Sequence, residues 1–252
     1  MRRIASATLI FFCSAAVLAA PSVQDALALE RSVWLIRTGF HQLALGGNAP
    51  DDRETLEQHL TQGRQALVRF VTALDDVEQA KNLEQQWALY EQRAQNNPLA
   101  SLGYADFEAL SELNRLAWLL SRATEPFASS SETLDNKIMR ARAMLHRVSS
   151  EYLALASFPS AGLNNSIEGA EHVVFEDEVL QLEQLLTDLQ SATADSGARR
   201  RLLSQVQLRW SFVRDSLLEM EQAEVTRVPM LLYRYSLQID RDLARLAEMR
   251  AD

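Results

Sequence analysis

An all-α protein of elongated helical bundles, about seven helices in two related modules, is what this sequence predicts from three features. Apolar residues recur at alternating spacings of four and three along long segments, alternating β-type runs are absent, and Gly, Pro and Asn fall where the segments would end. The 252 residues are 47% apolar and 23% charged, with 8 Gly and 6 Pro. That composition buries a core and excludes a disordered or collagen-like chain.

Taken in order, the first segment is a sorting signal. Met1, Arg2 and Arg3 carry positive charge, and Ile4 to Ala20 carry none, the pattern of a secretory signal peptide. Small residues permit cleavage after Ala19 or after Ala28. The second site is taken as the boundary, so residues 1–28 form the signal; an uncleaved N-terminal anchor is the alternative. Removing them deletes Arg2, Arg3 and Asp25, which leaves 23 minus 33, or −10, and removes Cys13, the single cysteine. A periplasmic, soluble product without disulfides is expected. No Cys-ligated zinc, iron–sulfur or c-type haem site can form, and no cofactor is expected.

The first helix is expected over residues 26–45, closed by Gly46 and Gly47, with Pro50 and Asp51 opening the next. Val33, Trp34, Leu35, Ile36 and Phe40 make it apolar on more than one face, which predicts central burial or a homodimer contact. A stripe then runs through Leu56, Leu60, Gly63, Leu67, Phe70, Leu74 and Val77. It continues at Ala80, Leu83, Trp87, Tyr90 and Ala94 after one missing residue, so the helix overwinds or breaks near Glu78 to Asn82. Asn96, Asn97 and Pro98 stop it. Glu125 to Ser131, containing Pro126, is the expected linker between a first module at 29–125 and a second at 126–252, and Ser129 to Ser131 with Glu132 resembles a capping box. The next stripe is Ile138, Ala141, Leu145, Val148, Tyr152 and Leu155. Asn165 with Glu168 caps a further helix, and Gly197 marks a turn. Leu203, Val206, Trp210, Val213, Leu217 and Met220 form the last clean stripe, and Pro229 begins a helix at about 228–250.

The two halves are alike. A shift of 110 pairs Leu35, Arg37, Leu43, Ala44 and Leu45 with Leu145, Arg147, Leu153, Ala154 and Leu155, and a shift of 123 pairs Leu83 and Trp87 with Val206 and Trp210. Each half reads as an Arg-bearing helix, a long connection and an apolar-x-x-x-Trp helix. The apolar stripe of the first helix, Leu29, Val33, Ile36, Phe40 and Leu43, maps onto Met139, Ala143, His146, Ser150 and Leu153, a different face from the second-half stripe.

The stretch from Arg140 through Arg142 and Arg147 to Tyr152 and Leu155 resembles the Arg-x-Arg…Arg…Tyr-Leu box of the N-terminal sensor domain of type IV pili methyl-accepting chemotaxis transducers. It is similar to the related box of nitrate/nitrite sensor kinases. The resemblance implies periplasmic helical modules, often in tandem, that sense small ligands or partners. The sequence departs from that pattern in lacking a Gly-Arg-Gln-Arg wording and a following Ser-Gln, and in carrying no transmembrane helix or output domain after the module.

Arg140 and Arg147 are seven apart and share a helix face, with Arg142 on the flank of the apolar stripe. Clustered guanidinium groups can hold nitrate or a carboxylate through paired hydrogen bonds; a solvated face paired with Glu and Asp is the other reading. Arg37 is the first-copy counterpart of Arg147, while Glu30 and Ser32 stand opposite Arg140 and Arg142. Arg199, Arg200 and Arg201 open a helix where three cations oppose the helix dipole, forming either a docking patch for an anionic partner or a surface cluster. Glu168 and His172 are four apart among acidic residues; they either share a metal or simply suit a helix N-terminus, and no metal site is assigned. Trp34, Trp87, Trp118 and Trp210 read as core. The four histidines lack Glu-x-x-His pairing, and Gly-x-Ser-x-Gly and phosphate loops are absent, so no catalysis is expected. A net charge of −9 repels phosphate backbones and argues against nucleic acid. The resulting expectation is a soluble periplasmic sensor or adaptor for a small anion or for a periplasmic or membrane protein partner. The alternative is a structural or chaperone-like protein that uses apolar helix stripes for partner binding or self-association.

Overall fold

Helix boundaries in this chain follow from local capping chemistry. The computed structural model describes residues 20–128, 133–158, 175–193, 196–219 and 228–249. Among them lie eight long helices and one of five residues, with no strand: α1 Val23–Leu45, α2 Pro50–Thr72, α3 Val77–Gln95, α4 Pro98–Leu102, α5 Phe107–Ala128, α6 Leu134–Ser157, α7 Phe175–Ala192, α8 Gly197–Leu218 and α9 Pro229–Glu248. The sequence-predicted cap at Asn165 and Glu168 and the stripe residue Met220 lie outside the described residues.

α1 starts before the predicted position because the Ser22 hydroxyl accepts from the Asp25 N–H at 3.0 Å, satisfying one of the orphan amides of the first turn. It ends as expected: the Gly46 N–H donates to Gln42 O, Gly47 takes a φ of +63°, and Pro50 stands in the first turn of α2. The predicted break near Glu78 to Asn82 falls earlier. Asp76 accepts from the N–H groups of Glu78 and Gln79 at 2.9 and 3.0 Å, and this cap starts α3 at Val77. Leu74 stays in the core, whereas Val77, the last member of the predicted stripe, is 80% exposed.

Of the expected linker Glu125 to Ser131, the part from Glu125 to Ala128, Pro126 included, is helical, and 129–131 lie outside the described residues. α5 runs through this proline to Ala128, because in a final turn proline removes a single helical hydrogen bond. Phe127 packs edge-on against Phe70 with centroids 5.3 Å apart, and Arg140 donates to Ala128 O at 2.9 Å. The Ser129–Glu132 capping motif lies outside the described residues; the cap of α6 is Thr133, which accepts from the Asn136 N–H.

Two apolar cores form. The first joins α1, α2, α3 and α5 around Trp34, Phe70, Trp87, Tyr90 and Leu116. The second joins α6, α7, α8 and α9 around Ile138, Tyr152, Leu182, Trp210 and Ile239. Each set closes in the same cyclic order, first helix on second, second on third, third on fourth and fourth on first. The broadest helix–helix packing joins the two sets, α1 against α6. Every residue of α1 from Ser32 to Leu43 is therefore buried, and its apolar character on several faces is met by neighbours on several sides. α6 likewise buries two faces: Ile138, Ala141, Leu145, Val148 and Tyr152 on one, Ala143, His146 and Ser150 on another. The two stripes that disagreed in register are both inside. Trp87 and Trp210 occupy the third helix of their sets, each with a buried indole N–H lacking an acceptor. No described helix is long and apolar enough to cross a membrane.

Gly63 shows how tightly the first core is fitted. A Cβ there would lie 2.5 and 2.8 Å from the Trp87 ring carbons and 3.0 Å from Ile36 Cδ1, so the hydrogen of glycine is what lets the indole seat against α2. Gly63→Ala gains about 1 kcal/mol of helix propensity but overpacks the core at a cost of roughly 1–3 kcal/mol. Net destabilisation of about 1 kcal/mol is expected in a urea titration, and the same change in a Trp87→Phe background is expected to be neutral or stabilising. Equal loss in both backgrounds would show that the indole is not the constraint.

Candidate functional site

Side chains that the helix pattern would place inside an apolar contact are, between α1 and α6, largely polar. Asp240 of α9 is the first node. It sits four residues after Ser236, whose hydroxyl lies 2.7 Å from that of Ser149, and so faces the seam. Arg31 donates to its two carboxylate oxygens at 2.9 and 2.5 Å, and Arg142 donates to the same pair at 2.8 and 3.2 Å. His146 Nε2 stands 3.2 Å from Oδ1 without hydrogen-bond geometry. Burial opposes charge on Asp240, but His146 and Arg31 outweigh it and hold the carboxyl well below its usual range. Burial pushes His146 the other way, toward the neutral form.

Arg147 is the second node. Its guanidinium lies over the Trp118 ring at 4.4 Å and the Trp34 ring at 5.7 Å, and pairs with Glu178 of α7. The two indoles meet edge to face at 5.2 Å, and Trp34 Nε1 donates to Ser121. Burial pushes the Glu178 carboxyl up to about 7, against the opposing pull of Arg147. Glu30, on the neighbouring α1, is also raised, chiefly by burial and again against Arg147. Two carboxylates thus face one guanidinium in a dry setting, where their charges compete. Arg37 completes the seam, donating to Ser150 at 2.8 Å and to Glu151 at 2.8 and 3.2 Å. Thr38 and His41 of α1 hydrogen-bond to His146 O and Ser157 of α6.

The four arginines singled out in the sequence all border this seam, but each is bound to a different group. Arg140 reaches Ala128 O, Arg142 reaches Asp240, Arg147 reaches Glu178 and Arg37 reaches Glu151. Arg37 and Arg147, from opposite helices, both lie over the Trp34 ring, at 5.8 and 5.7 Å from its centroid. Of the second cluster, Arg199 donates to Met249 O and Arg201 to Gly197 O, while Arg200 and Arg201 are exposed. Glu168 and His172 lie outside the described residues. The four tryptophans pack in or against the cores.

The motifs and repeat of the sequence do not include Arg31, Asp240 or Glu151; Glu30 enters only as the counterpart of Arg140, and Glu178 only as one of the acids crowding a helix start. Arg31 does what the repeat comparison assigned to no residue: it meets the same carboxylate as Arg142, from one position before Ser32. A signal for Asp240 existed, since it is a charge within the Leu232, Ser236, Ile239, Leu243 core register of α9. Comparison with family models, with curated proteins and with solved structures gives no match.

The seam has a defined pH response. Burial lowers His41 well below its ordinary value near 6.5, lowers His146, and lowers His59 to about 3. Below pH 6.5 the unfolded chain takes up protons on these imidazoles that the folded chain refuses, so each lowers stability as pH falls. Glu178 has the opposite sign. Between 4.5 and about 7 its folded form holds a proton that the unfolded form has released, so acidification favours folding there, and Glu30 acts in the same direction. Three imidazoles against two carboxyls give a net loss, and the urea midpoint is expected to fall between pH 7 and pH 5. His59→Gln should flatten that slope by up to about 1.4 kcal/mol per pH unit, and Glu178→Gln should steepen it. A midpoint that rises on acidification would overturn the assignment.

Proposed function

We propose that this chain is an exported, non-catalytic helical module acting as a sensor or adaptor, with Arg147 as the group that meets a small anion. The carrying observation is the Arg147 node. Its guanidinium is stacked on Trp118 and held by a carboxylate that burial pushes up to about 7, so near neutral pH the internal partner is half protonated and holds its cation loosely. A nitrate, nitrite or small carboxylate ion entering there replaces Glu178. The node joins the two helix sets, because Trp34 and Trp118 belong to the first and Arg147 and Glu178 to the second. Exchange at that point changes how α7 is attached and is felt on both sides. The likeness of the Arg140–Leu155 stretch to sensor-domain boxes supports the same reading. The titratable groups of the seam are otherwise spent on one another, which favours recognition over bond-making chemistry.

Export fits cleavage after Ala19 better than the boundary at residue 28. Ala28 lies inside α1, and Ala26 and Leu27 before it are core residues in a turn capped by Ser22. The first residue of the secreted product, read by N-terminal sequencing, is expected to be Ala20; a start at Leu29 would mean that the capped turn is dispensable.

For the anion, the melting temperature is expected to rise in millimolar nitrate or small carboxylate relative to chloride at equal ionic strength, and to rise more at pH 6 than at pH 8. Trp118 fluorescence reports the same event. Arg147→Ala is expected to abolish the rise, and Arg147→Lys, which keeps the charge but loses the planar fork, to weaken it. A rise that survives both substitutions assigns the anion elsewhere. The other reading, a protein that binds partners through apolar stripes, draws on the exposed apolar residues of α8 and α9.

A further inference from the structure

α8 is the most basic helix of an acidic chain. It carries Arg199, Arg200, Arg201, Arg209 and Arg214 against Asp215, a net of +4, where the whole chain has −9. Its inner stripe, Leu203, Val206, Trp210, Val213 and Leu217, is committed to the second core. The outer side is not polar throughout. Leu208 and Phe212, one turn apart, are 60% and 56% exposed, and with Arg201 they fall on one line of the helix at spacings of seven and four.

α9 lies antiparallel beside it, in a register fixed at three points. Arg199 reaches Met249 O, Arg209 pairs with Asp242, and the Phe212 ring stacks on Tyr235 at 5.6 Å and 15°. Leu231, a turn before Tyr235, is 42% exposed, and Arg234, Arg241 and Arg245 are exposed along the same side. The two helices therefore present a short apolar strip, Leu208, Phe212, Tyr235 and Leu231, with arginines along and beyond it. Among the described residues, exposed carboxylates stand only toward its ends, at Asp215, Glu219 and Glu248, while the buried Asp242 pairs with Arg209 and Arg245, which leaves Arg200, Arg201, Arg234 and Arg241 as the exposed surplus of positive charge.

We propose that this α8–α9 face is a docking surface for an acidic amphipathic helix of a partner protein. The occupant follows from charge and shape. Carboxylates on the partner meet arginines, whose planar fork suits them, and two apolar side chains one turn apart on the partner cover Phe212 and Leu208, the helix-in-groove mode. Two apolar residues from each helix make an anchor of the size of a binding hot spot, much less than the continuous apolar face by which a helix enters a bilayer surface. The strip is also held rigid by the core beneath it, so little ordering cost attends docking.

The test uses the full secreted chain against a displayed library of helical peptides. Selected sequences are expected to carry Asp or Glu flanking two apolar residues at a spacing of four. Binding of a selected peptide should weaken at least tenfold in Phe212→Ala and in the double charge reversal Arg201→Glu with Arg234→Glu. All three positions are on the outer side, so both variants should fold with native helix content; the double reversal should leave the melting temperature unchanged and Phe212→Ala should lower it only by the loss of the Tyr235 stack, which a circular dichroism melt on the same samples checks. Selected sequences that are neutral or basic, binding indifferent to both variants, or no enrichment at all would overturn the proposal. So would phosphatidylglycerol vesicles binding in place of peptide with the same dependence on Phe212, which assigns the face to a membrane. Concentration-dependent dimerisation lost in Phe212→Ala would likewise overturn it by assigning the face to a second copy.

Discussion

One carboxylate holds the centre of this molecule together. Asp240 arrives from the last helix and is held by Arg31 from the first helix of one set and Arg142 from the first helix of the other. A charge this deeply buried is tolerable only when its partners are in place, and removing one partner typically costs about 3–5 kcal/mol because the rest are left uncompensated. The contact is thus conditional on three helices being seated at once. Apolar surfaces attract with little regard to register, whereas two guanidinium groups sharing two oxygens leave few alternatives. α1, apolar around most of its circumference, would slide or rotate against many neighbours; Arg31 ties it to Asp240 of α9, the carboxylate that Arg142 of α6 shares, and Arg37 ties it directly to Ser150 and Glu151 of α6.

The same seam explains why its ionisable groups depart so far from ordinary behaviour. Asp240 is paired with two guanidinium groups and stays charged, while Glu178 and Glu30 share Arg147 and drift toward the neutral form. Burial supplies the same push in all three cases; His146 and Arg31 outweigh it at Asp240, whereas Arg147 does not outweigh it at Glu178, nor Arg147 and Arg140 together at Glu30. His59 and His146 are kept toward the neutral form chiefly by burial, in His146 against the opposing pull of Asp240. A helix pair joined by well-satisfied charges at one level and loosely held ones at another is stiff at the first and adjustable at the second, and the adjustable level is the one where Arg147 rests on the two indoles.

Much of this was legible in the sequence, for physical reasons that vary by element. Core stripes of α2, α3, α6 and α8 follow from periodicity, since the 3.6-residue repeat leaves few choices for which side chains are inside. Arg140, Arg142 and Arg147 stand out through their spacing on one helix and the likeness of their stretch to a sensor-domain box, and Arg37 through the repeat that pairs it with Arg147. Their partners do not, because Glu30, Glu151, Glu178 and Asp240 are distant in sequence and nothing in a helical register says which carboxylate lands against which guanidinium. Two boundary errors have local causes: Asp76 as a cap was overlooked in favour of a hydrophobic phase shift, and Pro126 was read as a breaker although the last turn of a helix tolerates it.

The arginines divide by what lies under them. Those on α1 and α6 project between the two helix sets, into a region that excludes water, so their charge must be answered from within and each has its carboxylate or carbonyl. Arg201, Arg234, Arg241 and Arg245 project outward from helices whose inner stripes are already committed to a core, and water answers most of their charge. Internal compensation was affordable for the first group because the chain has an excess of nine acidic residues to draw on. On the α8–α9 face less of that excess is present among the described residues: Asp242 answers Arg209 and Arg245 from within, and Asp215, Glu219 and Glu248 stand toward the ends of the strip. Beside Phe212 and Tyr235 the exposed arginines thus outnumber the carboxylates that answer them, and this local surplus of positive charge in an acidic chain is what the proposed acidic helix complements.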